Sequence, residues 1–254
     1  MKTNMQQGDP RSWLFKRTDL HGKIVMDAGC GSGHFVPKLL TAGAEKVVAV
    51  DMDPEAIAEA QASIGLAGLT SKVSFIVGDL SRAGLLQDAC ADIIVLNYVG
   101  PGLDPKDFDE DYRILHNLYR ALRPSGQLFL LADSPEEPDK GYDPFLEEWR
   151  RASCAVDCLI GEYSAGLEMP LTWAMRWLAE IGYAIRESFQ GPGEQVDAVW
   201  LRGNIDDYLE RNIPKLPKAF RESFRCFFQN LHSHIPNDFD CTVSNNYNVW
   251  AAKA

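Results

Sequence analysis

Along the first half of the chain, short β-branched runs alternate with stretches whose apolar residues recur at helical spacing. Residues 23–26 read as a buried strand that stops at Asp27, and 34–40 carry a helical pattern. A second apolar run, 46–50, ends at Asp51. Asp53 and Pro54 then supply a side-chain cap and a first-turn proline, and Ala56, Ile57, Ala60 and Ile64 share one helical face. Residues 73–77, 93–96 and 127–132 predict a third, fourth and fifth strand. Tyr112, Leu115, Tyr119 and Leu122 mark a helix that ends before Arg123-Pro124-Ser125-Gly126. Strands alternating with helices at these intervals predict an α/β fold with a parallel sheet covered on both faces.

The second half is less regular. In 171–181, Leu171, Ala174, Met175, Leu178 and Ile181 cluster on one side of a helix, and Trp173 and Trp177 project from the other. The tryptophans either pack as core or line a pocket for an apolar or cationic substrate, and we read them as core. Residues 183–189 and 247–253 read as the last strands. The long interval between them holds a helix marked by Phe220, Phe224, Phe227 and Leu231. Another insertion, 134–170, is rich in acids and turn residues before Trp149. Near the start, Trp13, Leu14, Phe15 and Leu20 suggest a short helix across the mouth of the fold, preceded by a tail.

Polar residues interrupt the apolar pattern at equivalent places. Asp27, Asp51, Asp79 and Asn97 each stand where a strand ends, and ligands of such sheets lie beyond the carboxyl ends of the strands. Gly29, Gly31 and Gly33 follow the first strand, where missing Cβ atoms let the chain turn sharply and a ligand approach the backbone. The following helix N-terminus offers unpaired N–H groups. A nucleotide-like cofactor suits this arrangement, and Asp51, 24 positions after Asp27, lies at the interval from which an acid reaches a ribose. His34 stands where the dinucleotide pattern G-x-G-x-x-G needs its last glycine, which weighs against a nicotinamide cofactor.

Composition narrows the partners. A formal net charge of −11 argues against a nucleic acid, whose binding rests on clustered Lys and Arg, and favours a small-molecule or cationic ligand. Arg150, Arg151 and the bases of 215–225 are interleaved with acids and read as solvated faces. Six dispersed cysteines and an opening without an apolar signal segment point to a reducing, cytoplasmic setting. Cys154 and Cys158 share a helical spacing but lack a second pair, and His232 and His234 stand alone, so no metal site is expected. No run approaches the ~18 apolar residues of a membrane span.

Taken together, these segments resemble a class I S-adenosylmethionine-dependent methyltransferase. Asp27-Ala28-Gly29-Cys30-Gly31-Ser32-Gly33 is similar to the family's D-x-G-x-G-x-G loop, Val50-Asp51-Met52-Asp53 to its second motif, Val77-Gly78-Asp79-Leu80 to its third, and Leu122-Arg123-Pro124-Ser125-Gly126-Gln127 to its turn before the fifth strand. The resemblance covers 23–133. It implies a doubly wound, mostly parallel seven-stranded sheet with helices on both faces, and here a mainly helical cap inserted after the fifth and sixth strands. The single domain 1–254 then divides into a core of 21–133, 171–190 and 246–254 and a cap of 1–20, 134–170 and 191–245.

The resemblance also implies S-adenosylmethionine as cofactor, held by Asp27, Gly29, Cys30, Gly31, Gly33, Asp51, Met52, Gly78, Asp79, Leu80 and Asn97. The glycines pass near its methionine part, Asp51 accepts from both ribose hydroxyls, Met52 lies against the adenine, and Asp79 with Leu80 reads the amino edge. Asn97 and Tyr98 border the reactive sulfonium as the catalytic pair. Two departures stand out. Asn97-Tyr98-Val99-Gly100-Pro101 replaces the Asn/Asp-Pro-Pro-Tyr of members that modify amides and bases, which counts against such acceptors, and the last two strands are no hairpin.

The expected activity is methyl transfer to an oxygen, nitrogen or sulfur of a small molecule. Two other outcomes remain open to the same pocket: aminocarboxypropyl transfer or cyclisation with release of methylthioadenosine, and binding without catalysis. Candidate bases are His34, Tyr98, His116, Glu162, Tyr163, Glu168, His232 and His234, of which Tyr98 alone is positioned toward the reaction centre.

Overall fold

The computed structural model describes residues 10–97, 102–103, 109–132, 144–161, 167–168, 171–190, 194–243 and 247–254. Seven strands form its main sheet: β1 (Ile24–Ala28), β2 (Lys46–Asp51), β3 (Val73–Val77), β4 (Ala91–Asn97), β5 (Leu122–Ala132), β6 (Tyr183–Gln190) and β7 (Tyr247–Lys253). Their order is β3-β2-β1-β4-β5-β7-β6. Strands β1 to β5 run parallel, and β7 lies antiparallel to both β5 and β6. The helices are α1 (Val36–Thr41), α2 (Pro54–Leu66), α3 (Glu110–Ala121), α4 (Pro144–Ile160), α5 (Leu171–Ile181), α6 (Ala198–Asn212) and α7 (Lys218–His234).

The central strands are apolar on both sides because both sides are covered. On one face Met26, Ile94, Leu128 and Leu130 pack with Leu115 and Leu118 of α3 and Ala174 and Leu178 of α5. On the other, Val25, Val47, Val95 and Phe129 pack with Val36 and Leu39 of α1 and Ile64 of α2. Leu14 and Leu20 join this second cluster, so the 3₁₀ helix Pro10–Lys16 is anchored in the sheet's own core.

Two of the differences from the sequence reading have a clear physical cause. Strand β5 begins at Leu122 rather than 127, because the turn stays in the ladder: Leu122 pairs with Ala91, with a register shift before Ile93. Arg123 Nη1 lies 3.0 Å from both carboxylate oxygens of Asp92, and Asp92 Oδ2 accepts from Ile24 N at 2.9 Å, which ties three strands at their starts. Helix α7 is rotated from the expected stripe. Phe228 and Leu231 are buried, whereas Phe220 and Phe227 are 44% and 38% exposed. Trp149 of α4 and Tyr208 of α6 press on Phe228, with ring centroids 5.6 and 5.4 Å away, and set that rotation.

Helices α4, α6 and α7 share an apolar cluster of their own, including Val156, Leu201, Ile205, Phe228 and Phe239. Tyr208 donates its hydroxyl to Ser153 O at 2.8 Å, which fastens α6 to α4. A two-stranded ribbon, Glu194–Asp197 with Asp240–Val243, closes the unit.

Candidate functional site

Register alone brings the strand-end residues to one edge. Ala28 pairs with Val50 and with Leu96, and Asp51 with Val77, so Asp27, Gly29, Asp51, Gly78, Asp79 and Asn97 emerge side by side at the carboxyl ends of four neighbouring strands.

The glycine loop folds back over β2. Gly29 N and Cys30 N both donate to Val50 O, at 2.7 and 2.9 Å. Gly29, Gly31 and Gly33 have φ of +71°, +51° and +77°, left-handed values that L side chains resist. A Cβ on Gly33 would sit 2.9 Å from Ala60 Cβ, so that glycine serves the packing of the loop on α2. Nothing lies within 4 Å of a Cβ placed on Gly31, which faces open space.

The same loop fixes an acid. Gly31 N donates to Asp51 Oδ2 at 2.7 Å and Asp53 N to Asp51 Oδ1 at 3.0 Å. Each oxygen keeps acceptor capacity, so an oriented carboxylate is offered to hydroxyl donors. Gly78 N donates to Asp51 O at 2.8 Å, and a side chain at Gly78 would collide with Leu85. Beside Asp51, Met52 and Val77 are 72% and 51% exposed, leaving an apolar wall without a cover.

Asp79 accepts from Ser81 N and Ser81 Oγ at 2.8 and 2.7 Å. The Ser81 hydroxyl, aided by the Ser81 amide and Arg82, holds its carboxyl below the usual range against partial burial. Leu80 is buried, and its carbonyl accepts from Asn117 Nδ2 at 2.9 Å. Asp27 is buried at the base of the loop. Burial first, then the charges of Asp27 and Asp51, push the Cys30 thiol up to about 12, so it stays protonated and is no nucleophile.

Asn97 closes β4, and its buried Nδ2 has no hydrogen-bond partner among the described residues. Tyr98, Glu162 and Tyr163 lie outside the described residues, as does the side chain of Glu168. His34 and His116 are exposed. On α7, His232 lies 3.4 Å from Asp206, and His234 Nδ1 is 2.8 Å from Asn230 O. Trp177 packs edge-on to Tyr112 at 6.0 Å and is partly buried on the sheet's core, while Trp173 is 49% exposed. Among the described residues no group of three or more His, Cys, Asp or Glu is placed to hold a metal ion.

One residue escapes the sequence reading. Asn248, 2% exposed, pairs with Leu131 of β5, which pairs with Asn97 of β4. Its only signal is an amide inside the apolar run of β7.

The edge therefore offers fixed carboxylates, an open glycine and an apolar wall, a set suited to a ligand carrying hydroxyls, an amino group and positive charge. Residues 25–126 match the family model described as a methyltransferase domain. A ribosomal protein L11 methyltransferase of Vibrio vulnificus (strain CMCP6) is 31% identical over 153 residues, which are 56% of this chain and 47% of the relative. The chain thus spans about half the length of the curated relatives it matches. Among solved structures, an S-adenosylmethionine-dependent methyltransferase from Aquifex aeolicus superposes with a TM-score of 0.56 at 17% identity, covering 97% of this chain and 90% of that one. Geranyl diphosphate methyltransferase in complex with S-adenosylmethionine does so with a TM-score of 0.57 at 12% identity, covering 95% and 83%.

Proposed function

We propose, from the premise that this chain carries a class I S-adenosylmethionine-dependent methyltransferase domain, that it binds this cofactor along the carboxyl edge and transfers the methyl group in line to an oxygen, nitrogen or sulfur of a small molecule. The observation that carries the reading is Asp51, held by the amides of Gly31 and Asp53 with acceptor positions left for a ribose diol.

Around it, the exposed Met52 supplies an apolar face for the adenine, and Asp79 takes its amino edge. Gly31 leaves room for the methionine part, with Asp27, Gly29, Cys30, Gly33, Gly78 and Leu80 shaping the floor. Asn97 and Tyr98 form the catalytic pair that borders the reacting centre and orients the acceptor. The cofactor supplies an already activated sulfonium methyl, so the protein's work is to align a nucleophile and exclude water.

Topology supports a small acceptor. Strands β5 and β6 end, and β7 begins, at the edge that holds Asp51 and Asn97, so the chain leaves β5 and connects β6 to β7 from that edge. We take the α4–α6–α7 unit as the cap that restricts access. Among the described residues no helix is long and apolar enough to cross a membrane, and the reading places the enzyme in the cytoplasm.

Calorimetry with S-adenosylhomocysteine tests the binding half: Asp51→Ala weakens it by about a hundredfold, the loss of two charge-assisted hydrogen bonds. Unchanged affinity overturns the site. Incubation with methyl-labelled cofactor tests the rest, with label expected in a low-mass fraction of a metabolite extract. Label in ribosomal protein instead moves the acceptor to a macromolecule. Release of methylthioadenosine replaces methyl transfer by aminocarboxypropyl chemistry, and no turnover leaves a binding protein.

A further inference from the structure

Trp13 Nε1, Asn97 Nδ2 and Asn248 Oδ1 are buried polar atoms without a hydrogen-bond partner among the described residues. Their residues line one cavity of about 10 Å³, with Leu14, Phe129, Leu130 and Leu131 as the rest of its wall. A single water needs about 10–15 Å³, so the space takes one and nothing larger. Strand register explains the meeting. Asn97 pairs with Leu131 and Leu131 with Asn248, which puts both amides in one row on one face of the sheet. Trp13 reaches the row from the Pro10–Lys16 helix, its ring edge-on to Phe129 and Phe189 at 5.4 and 5.2 Å, and Phe189 is the partner of Asn248 on β6.

Buried polar groups are almost always satisfied, and the chemistry of these three suits one water. It accepts from Trp13 Nε1–H and Asn97 Nδ2–H and donates to Asn248 Oδ1, the three partners that a buried water ordinarily has. The two amides stand in different places. Asn97 is the last residue of β4, at the carboxyl edge, whereas Asn248 is 2% exposed and lies two strands away. A carboxamide is planar, so a bond that holds the Asn97 nitrogen also sets the direction of its oxygen, the one atom of that side chain able to face a positive charge as an acceptor.

We propose that Asn248 and Trp13 are positioning residues: through one shared buried water they hold the Asn97 carboxamide in the orientation that presents its oxygen to the sulfonium of S-adenosylmethionine. The proposal rests on the reading that the reacting centre lies at the end of β4. It ties the Pro10–Lys16 helix and the last strand to that centre, although neither residue touches cofactor or acceptor.

Two measurements test it. In ¹⁵N-labelled protein, the Trp13 indole and Asn97 side-chain hydrogens show cross-relaxation with a long-lived water, of the sign that separates a bound water from proton exchange. Absence of that signal overturns the proposal, and it decides alone where a variant does not fold. Calorimetry then compares S-adenosylmethionine with S-adenosylhomocysteine, which lacks the methyl group and the positive charge. Asn248→Leu, of nearly the same shape, and, independently, Trp13→Phe each weaken S-adenosylmethionine about fivefold, the worth of one hydrogen bond, and leave S-adenosylhomocysteine unchanged. In an Asn97→Ala background neither substitution has any further effect. An equal loss for both ligands, no loss for either, or a loss that persists without the Asn97 amide overturns the positioning role. In each of those cases wild-type binding of both ligands leaves the cofactor site standing, whereas wild-type protein that binds neither fails the site itself and the positioning role with it.

Discussion

Two glycines in the same loop carry different duties, and substitution separates them. Gly31→Ala meets no atom but takes a left-handed φ and intrudes on open space, so it costs about 1 kcal/mol of stability and weakens S-adenosylhomocysteine more than tenfold. Gly33→Ala adds a collision with Ala60 and lowers stability by about 2–4 kcal/mol in urea unfolding. Asp111 in the first turn of α3 shows a different tension. Burial, with Glu110 adding repulsion, lifts its carboxyl to about 7. The unfolded chain loses this proton first, so the group costs nothing below the ordinary carboxylate range and destabilises increasingly as pH climbs from about 4 to 7. Asp111→Asn is therefore expected to raise Tm relative to wild type at pH 8, with the gain gone at pH 4. At this scale the gathering of polar residues at the strand ends was legible, because Asp51 and Asn97 break an apolar run where a strand ends. Asn248 was not, because its significance depends on which strand lies beside it.

The elements reward the same separation of roles. Asp53 Oδ1 accepts from Glu55 N at 2.8 Å and caps α2, while its own amide holds Asp51. Asp53→Ala removes the cap and leaves the amide, so it costs about 1 kcal/mol in thermal unfolding with far less effect on cofactor affinity than Asp51→Ala. Strands β1 to β4 follow from their apolar runs because burial on both faces demands such runs. The start of β5 does not, since Arg123 and Asp92 hold the turn in the ladder through a pairing no local pattern announces. The rotation of α7 is likewise set by Trp149 and Tyr208, from two other helices.

In the whole molecule the three-helix unit has its own apolar centre, distinct from the two clusters that clasp the sheet. Phe228→Ala, at the heart of that centre, costs the unit about 3–5 kcal/mol. Hydrogen exchange is expected to quicken in α4, α6 and α7 and to stay unchanged in β1, β2 and β4, and acceleration spread evenly over both would show one cooperative body. The last strand in sequence fills the slot between β5 and β6. Synthesis therefore delivers β6 before its neighbour exists, and this stretch has to wait on the ribosome as a loose end. A nascent chain arrested at residue 246 is expected to be cut by protease within 183–190, and one in which residue 253 has cleared the exit tunnel to resist, so the order of the strands leaves the sheet open until β7 emerges.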